Sequence, residues 1–310
     1  MLAWGSLGAR WAPEEALLTL TWNGQRFDWV NVAYFGALHI GALAAPWTFS
    51  WTGLGLVLLL NWVAGSLGIG VTFHRLLTHR GYKLPKPLEY LGTLFGMLAS
   101  QGGAITWVAM HRAHHTFSDR PGKDPHTPKD GFLWSHVGWI VCKLALGTRR
   151  EIEARYAPEL VADPVHRALN RLHVLPNILV GLALYAWGGW PLVVWGVFVR
   201  MLVTLHATWF VNSAAHTWGY RTYDTPEGST NLWWVGLIAW GEGWHNNHHA
   251  FQRSARHGLE WWEFDANWVV IRALAALGLA TNLQLVPRES DRYRLAKAAK
   301  PLLAAEESAA

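Results

Sequence analysis

Four long apolar stretches limit what this chain can fold into. They are residues 30–48, 51–73, 174–187 and about 192–212. Pro46 separates the first two, and the sequence Gly188-Gly189-Trp190-Pro191 separates the last two, so each pair has a turn signal between its members. Because about 20 apolar residues of helix cross the hydrocarbon core of a bilayer, we predict an all-α integral membrane protein. Its four transmembrane helices would form two hairpins, at about 30–73 and about 173–213.

The composition agrees with a membrane protein and excludes other classes. Charged residues make up 15% of the chain, compared with about 25% in a typical soluble protein. The 22 tryptophans suit the boundary between lipid and water. The net charge of +5 is not concentrated in runs of basic residues, so we expect no nucleic-acid partner. The single cysteine, Cys142, excludes an internal disulfide framework.

The distribution of basic residues predicts how the chain is oriented. The region between the hairpins contains 14 lysine and arginine residues, whereas the two hairpin turns contain none. By the positive-inside rule, we expect a cytosolic segment at about 74–172 and a second one at about 214–310. Both termini of this single domain, residues 1–310, would then lie on the cytosolic side.

Other stretches lead to smaller predictions. Arg10, Glu14 and Glu15 interrupt the N-terminal region, so we expect no signal peptide there, and we expect a solvated tail after Arg288. Residues 88–108 and 232–240 are apolar but rich in small residues or short, which favours re-entrant or interfacial helices. Arg200 lies inside the fourth apolar stretch, so its guanidinium must snorkel, pair or face a polar cavity.

Eight histidines occur in three short strings, each just beyond an apolar stretch. The strings are His74-Arg-Leu-Leu-Thr-His79, His111-Arg-Ala-His114-His115 and His245-Asn-Asn-His248-His249. Residues i, i+3 and i+4 of a helix share one face, so the second and third strings each offer three imidazoles on one side of a helix.

Two further spacings extend this pattern. Asn212 and His216 follow the fourth apolar stretch at i and i+4, and they add an amide and a ninth imidazole. His74 and His79 are five residues apart and would diverge on a straight α-helix, so we expect the second span to end or bend between them.

Nine clustered imidazoles predict two metal ions, because one ion takes four to six ligands and must leave room for a substrate. Imidazole suits iron, zinc and copper. The apolar surroundings suit an acyl chain, and unreactive hydrocarbon requires oxygen chemistry at a redox metal. Iron is therefore our first hypothesis, and zinc-dependent hydrolysis is the second.

Other polar residues near the strings are candidates for hydrogen bonds to the ligands, since a metal-bound imidazole usually donates its second N–H to a carboxylate or carbonyl. They are Asp119, Asp124, His126, His136, Glu242 and His257. We expect His39, His166, His173 and His206 to be ordinary hydrogen-bonded core residues.

These strings, together with Asn212-Ser-Ala-Ala-His216 and Gly241-Glu-Gly-Trp-His245, resemble the membrane fatty-acid desaturases, in particular the stearoyl-CoA desaturase-like Δ9 group. The similarity continues through Ser118-Asp119, Asp124-Pro-His126 and Ser135-His-Val-Gly-Trp139, and it covers most of residues 73–265. The resemblance implies a four-span helical bundle under a cytosolic helical cap that holds two irons. The ligands it implies are His74, His79, His111, His114, His115, His216, His245, His248 and His249, with Asn212 acting through water.

The resemblance also implies a reaction. Members of this group use O2 and two electrons from a separate donor, such as ferredoxin or a cytochrome b5-like protein, to insert a cis double bond between C9 and C10 of a saturated acyl chain. We expect a C16 to C18 chain carried on CoA or on a glycerolipid. Residues 241–259 look closer to the bacterial and cyanobacterial branch, which implies the bacterial cytoplasmic membrane with the metal site on the cytosolic side. Where animal acyl-CoA enzymes carry an Arg-Asp pair, this chain has Val108-Ala109-Met110.

Two alternatives to desaturation stay open from the sequence. A membrane hydroxylase or ketolase on a lipid substrate would use the same metal scaffold and differ only in its product. A non-enzymatic membrane metal-binding protein belongs to a different class, and it would be expected to line its spans with polar residues.

Overall fold

The computed structural model describes residues 20–144 and 147–286. The predictions made for Arg10, Glu14 and Glu15, for the tail after Arg288 and for the side of the membrane that holds the termini lie outside the described residues. Within them, the protein is mostly helical, as predicted.

The described chain begins with a short β-hairpin. Strands β1 (Thr21–Trp22) and β2 (Gln25–Arg26) pair antiparallel. Asn23 and Gly24 both have positive φ, as a two-residue hairpin turn of type I′ requires. Asp28 then caps helix α1 (Trp29–Ala42) by accepting hydrogen bonds from the first backbone N–H groups.

Helix α1 is shorter than the predicted first span. It has 14 residues and is followed by a 3₁₀ turn at Ala45–Thr48, where Pro46 cannot donate a helical hydrogen bond. The predicted turn at Pro46 is therefore present, but the helix before it is shorter than the apolar stretch 30–48. At 1.5 Å per residue, α1 is about 21 Å long, less than the roughly 30 Å of a bilayer core.

Helix α2 (Trp51–Thr78) changes its winding partway along. It is α-helical from Trp51 to Asn61 and π-helical from Trp62 to Thr78. In a π-helix each N–H bonds to the carbonyl five residues earlier, and this pattern continues to the end, where the His79 N–H donates to the His74 carbonyl over 3.1 Å. His74 and His79 therefore lie close together, with ring centroids 4.8 Å apart, and α2 ends at Thr78, between them, as predicted.

Most of the remaining elements are short helices around the end of α2. They are α3 (Lys86–Met97), α4 (Ala104–Phe117), a 3₁₀ turn at Pro128–Asp130, α5 (Trp134–Gly138, continued by Trp139–Val141), α6 (Arg149–Tyr156), α7 (Pro158–Ala162) and α8 (Pro164–Arg171). After the second pair of apolar stretches come α11 (Trp233–Ile238), α12 (His245–Ala250) and α13 (Ala266–Ala276). The stretch 88–108, predicted as a re-entrant or interfacial helix, is divided between α3 and α4, because the chain turns through Ser100 and Gly102, both with positive φ, before α4 begins.

The helical segment Leu175–His216 is a hairpin. Gly188 and Gly189 have non-helical backbone angles, and Gly189 has φ 66°, which side chains other than glycine rarely adopt. We call the part before Gly188 α9 and the part after Gly189 α10. Leu184 of α9 lies against Gly196 of α10, so the two helices pack side by side, as predicted for the second pair of stretches.

Helix α10 packs against both helices of the predicted first hairpin. Phe35 and Leu38 of α1 lie in one apolar cluster with Leu205 and Trp209 of α10. Apolar residues of α2, including Leu56, join another cluster with α9 and α10. The described helices long and apolar enough to cross a membrane by length and composition are Trp51–Thr78 and Leu175–His216.

Arg200 on α10 is fully buried and pairs within the protein. Its guanidinium donates to the Asn177 side-chain oxygen at 2.9 Å, to the Gly196 carbonyl at 3.1 Å and to the Leu98 carbonyl at the end of α3. Of the three possibilities for this charge, pairing is the one that the structure shows.

A central apolar cluster fixes the end of α2 against α4. Phe73, Val108 and Ala109 are completely buried within it. Each of these residues lies one to three positions from a histidine of the first two strings. The packing therefore sets where the imidazoles of α2 and α4 meet.

Candidate metal centre

Nine histidines from four helices converge into two groups of ring nitrogens. Within each group, the candidate ligand atoms all lie within 4.8 Å of one another. Site A is formed by His74, His79, His111, His115 and His248, and site B is formed by His114, His216, His245 and His249. These are the nine histidines that the sequence singled out.

The helical spacing divides each H-x-x-H-H string between the two sites. On α4, His111 and His115 face site A, whereas His114 faces site B. On α12 the order reverses: the pair at i and i+4, His245 and His249, faces site B, and His248 faces site A. The two strings thus interleave, and each helix contributes to both sites.

The distances between imidazole nitrogens are those expected around an ion. The Nε2 atoms of His111 and His115 are 3.0 Å apart, and those of His245 and His249 are 3.1 Å apart. His248 Nε2 lies 3.1 Å from the Nε2 atoms of both His74 and His115. Two nitrogens bound at about 2.1 Å from one metal at a right angle lie about 3.0 Å from each other.

Buried nitrogens without partners also indicate metal ligation. The Nε2 atoms of His79, His114 and His216 have no hydrogen-bond partner among the described residues although they are buried. Leaving a buried polar atom unpaired costs about 1–3 kcal/mol, so three such atoms aimed at the two groups would be costly without a ligand. The residues present therefore fit a pair of metal ions.

Carboxylates hold the opposite ring nitrogen of several of these histidines. Asp124 accepts from His114 Nδ1 at 2.9 Å, Asp119 from His216 Nδ1 at 3.1 Å, and Glu242 from His74 Nδ1 at 2.6 Å. Glu227 lies 3.4 Å from His249 Nδ1. Such contacts fix the tautomer of the ring, so that Nε2 carries the lone pair that a metal needs.

Burial keeps the imidazoles neutral, which a metal ligand must be. It holds the pKa values of His111, His115, His245, His248 and His249 well below the ordinary range, and the neighbouring imidazoles lower them further. The acidic partner Glu242 is ionised: burial alone would raise its pKa, but Arg75, His74 and His257 together lower it well below its usual value.

Sequence reasoning missed a buried ion-pair network behind site A. Arg75 is completely buried and donates to Glu242 at 2.9 Å and to Asp265 at 2.9 Å. Asn267 donates to the same Glu242 oxygen at 2.7 Å. These partners lie far apart in the sequence, and an arginine beside a histidine string carries no signal of where its charge is paired.

The additional histidines divide between the site and the scaffold. His126 lies with its ring 4.2 Å from that of His114, and His257 lies 3.2 Å from Glu242. His136 is away from both groups and instead contacts His206, at 2.9 Å, and Ser213. Those assigned ordinary roles have ordinary partners: His39 bonds Phe35 and His206, His166 bonds Glu89, and His173 bonds Asn170.

A narrow apolar slot reaches the metal centre from between α2 and α10. Its lining comprises Asn61, Gly65, Ile69, His74, Trp107, His111, Thr204, Ala207, Thr208, Val211, Asn212, Ile238, Ala239, Trp240, Glu242 and His245. Asn212 therefore borders the same space as histidines of both sites. Trp107 stacks on His111 with ring centroids 4.9 Å apart, and its N–H donates to Gln101 at 2.9 Å.

A second, wider opening reaches the centre, and it shares no lining residue with the slot. This pocket of about 570 Å³ is lined by His115 of site A and His249 of site B, together with polar residues such as Gln252 and Arg253 and apolar ones such as Phe251. Two separate openings thus reach the metal centre, one narrow and mostly apolar and one wide and of mixed polarity.

Comparisons with known proteins agree with this arrangement. A family model for the fatty acid desaturases matches residues 49–282. The chain is 50% identical to an sn-1 stearoyl-lipid 9-desaturase of Anabaena variabilis over 266 residues, which cover 85% of this chain and 96% of the relative.

Two further relatives are similar over nearly the same length. An sn-2 palmitoyl-lipid 9-desaturase of Nostoc sp. is 46% identical, covering 87% of this chain and 95% of the relative. An sn-1 stearoyl-lipid 9-desaturase of Synechocystis sp. is 45% identical, covering 84% and 81%. With its paired histidine groups and this similarity across most of its length, the chain belongs to the fatty acid desaturase family of oxidoreductases.

Proposed function

We propose that this protein is an acyl-lipid Δ9 desaturase that inserts a cis double bond into a saturated C16 to C18 chain carried on a glycerolipid. The observation that carries the proposal is the apolar slot that ends against histidines of both metal sites. The activities for which the three relatives are named, all lipid 9-desaturases, favour position 9 and a lipid-linked chain over a CoA ester.

The slot suits a hydrocarbon chain. Ile69, Ala207 and Val211 present apolar surface along it, and Trp107 and Trp240 border it near the centre. Each methylene that leaves water contributes about 0.8 kcal/mol, so the walls hold a chain in register and exclude water from it. Which methylene pair lies beside the metals is set by how far the chain can enter.

We infer that the two sites hold iron. The ligands would be the nine histidines of sites A and B, with Asn212 acting through a water molecule from its place in the slot wall. Cys142, the only cysteine, is buried away from the centre beside Phe27, so the donor set is nitrogen-rich and free of thiolate. A bound pair of irons supplies the O2-dependent oxidation that removes one hydrogen from each of two neighbouring methylenes.

The residues of this chain then have defined tasks. Asp119, Asp124 and Glu242 orient the imidazoles of His216, His114 and His74. The Arg75 guanidinium holds Glu242 in place through two of its nitrogens. Trp107 stacks on His111 and keeps that ring against the slot.

We place the protein in the bacterial cytoplasmic membrane with the metal centre at its cytosolic side. In this arrangement α1, α2, α9 and α10 are the four spans, and residues of about 74–172 and 214–310 form the cytosolic cap of a single domain. The two long apolar helices and the basic character of the region between the pairs support this topology. The short α1 would cross with help from the 3₁₀ turn that follows it.

Electrons would come from a separate protein such as a ferredoxin or a cytochrome b5-like donor. The wide opening gives this donor its closest approach, because its lining includes one ligand of each site, His115 and His249. The slot on the other side stays available to the acyl chain.

Lipid analysis of a desaturase-deficient bacterial host that expresses this chain tests the proposal. We expect C16 and C18 acids with a cis double bond at C9. These acids should be found in glycerolipids, because the chain is desaturated while it is attached to the lipid and not as a CoA ester. Hydroxylated or keto acids at the same carbons would instead favour the hydroxylase alternative. An unchanged lipid profile from a protein that is present and holds its metal would contradict desaturation.

A further inference from the structure

Sites A and B differ in the charge that surrounds their ligands. At site B, three of the four histidines have a carboxylate at Nδ1, namely Asp124, Asp119 and Glu227. At site A, one of the five histidines, His74, has such a partner, which is Glu242. The two sites therefore differ by more than ligand number.

The single carboxylate at site A is also neutralised. Glu242 forms an ion pair with Arg75 at 2.9 Å and accepts from Asn267, so part of its charge is directed away from His74. His257 shares the same carboxylate oxygen with His74, at 3.2 Å. The negative charge that reaches the site A imidazoles is small.

The carboxylates at site B have no such counter-charge. Within residues 20–144 and 147–286, no lysine or arginine forms an ion pair with Asp119, Asp124 or Glu227. Arg221 approaches Glu227 but bonds its backbone carbonyl instead of its carboxylate. Asp119 and Asp124 are held by neutral donors, including the Gly228 N–H and the Thr127 hydroxyl for Asp119.

A carboxylate on the outer nitrogen gives a bound imidazole more anionic character and raises its basicity as a ligand. Net charge and hydrogen bonds around a metal set its reduction potential, and more negative surroundings favour the higher oxidation state. The extra imidazole at site A is a neutral donor, so it does not offset this difference in charge.

We propose that the ion at site B is the more easily oxidised of the two, because Asp119, Asp124 and Glu227 direct unneutralised negative charge onto its ligands. An outer-sphere inorganic oxidant would take one electron from the centre that holds two Fe²⁺ ions, and the oxidant would be reduced by that electron. The resulting Fe³⁺ lies at site B, and the ion at site A stays Fe²⁺. This inference rests on the proposed pair of irons.

The test uses the full chain in detergent, loaded with ⁵⁷Fe and titrated with the oxidant under anaerobic conditions. Mössbauer spectra of the half-oxidised protein should show one ferrous and one ferric component of equal area. In Asp119→Asn, we expect the equilibrium constant of the first oxidation to fall about tenfold, which raises the reduction potential by about 59 mV for one electron. The ferric component of the Mössbauer spectrum should change as well. Asparagine also accepts the left-handed backbone of Asp119, with φ 57°.

Glu242→Gln is the matched control at site A. It should leave the first oxidation within about twofold of the wild type and change the ferrous component. Glu227→Gln replaces Asp119→Asn if that variant retains fewer than two irons. The proposal is overturned if the site B variant leaves the first oxidation unchanged, or if Glu242→Gln shifts it more. A wild-type protein that binds fewer than two irons would instead contradict the proposed function.

Discussion

The two openings that reach the metal centre differ in width and in lining, although each borders histidines of both sites. The slot side is narrow and mostly apolar, with Ile69, Ala207 and Val211 in its wall. The pocket side is wide and of mixed polarity, with Gln252, Arg253, His115 and His249 in its lining. Separate openings would let an acyl chain and an electron donor, as proposed above, reach the same centre without competing for space.

Substitution of a histidine of sites A and B should have the largest effect, because both openings lead to these residues. His245 belongs to site B and borders the slot. We expect His245→Ala to abolish the unsaturated product and to lower iron content by at least one ion per chain. Fatty-acid analysis and metal quantification of the same preparation measure both.

His39→Ala is the control for this substitution, since His39 hydrogen-bonds Phe35 and His206 and belongs to neither site. It should keep its iron and its product. Normal turnover by His245→Ala would show that the ligand assignment is mistaken.

The slot side should respond next, and without loss of metal. Ala207 is buried in the slot wall, so Ala207→Leu would fill space that the acyl chain needs. Overpacking of this kind costs about 1–3 kcal/mol, which predicts a loss of product of about 5- to 150-fold at full iron content. C18 substrates should lose more than C16 substrates if the obstructed part holds the far end of the chain.

Ala168→Leu, on the exposed face of α8, is the matched control and should be silent. Full activity of Ala207→Leu on both chain lengths would argue that the acyl chain occupies another cavity.

The pocket side should give the smallest effect, and it should depend on the electron source. Arg253 is exposed at the pocket edge. We expect Arg253→Glu to slow turnover about threefold at low salt with an acidic protein donor such as ferredoxin, because charges at the edge of an interface mainly change association rates. Turnover driven by a small chemical reductant should be unchanged.

Arg171→Glu changes the same charge at an exposed position on α8, away from the pocket, and provides the control. Equal slowing by both variants would mean that net charge, and not this pocket, guides the donor.

The contents of the metal centre could be anticipated because helix geometry links spacing to position. His111 and His115, like His245 and His249, are separated by four residues, and the structure brings each pair to within about 3.1 Å. The spacing could not show that the remaining histidine of each string, His114 or His248, faces the other site. This depends on how α4 and α12 pack against each other. That assignment needed the tertiary structure.

Other parts of the structure carried no local signal. Glu227 lies near His249 only because of the loop that returns from His216, and Arg75 meets Asp265 across 190 residues of sequence. The π-helical winding that brings His74 and His79 together at the end of α2 was not predicted, because it depends on hydrogen bonds that residue type does not specify. The apolar stretch at 30–48 overestimated α1, since hydropathy continues through Pro46 while the helix does not.

Metal quantification of the purified chain tests the central claim most directly. The protein would be produced in cells supplied with both iron and zinc, and its iron and zinc content measured per chain. The account predicts two irons and almost no zinc. A single ion per chain, or zinc at both positions, would contradict it.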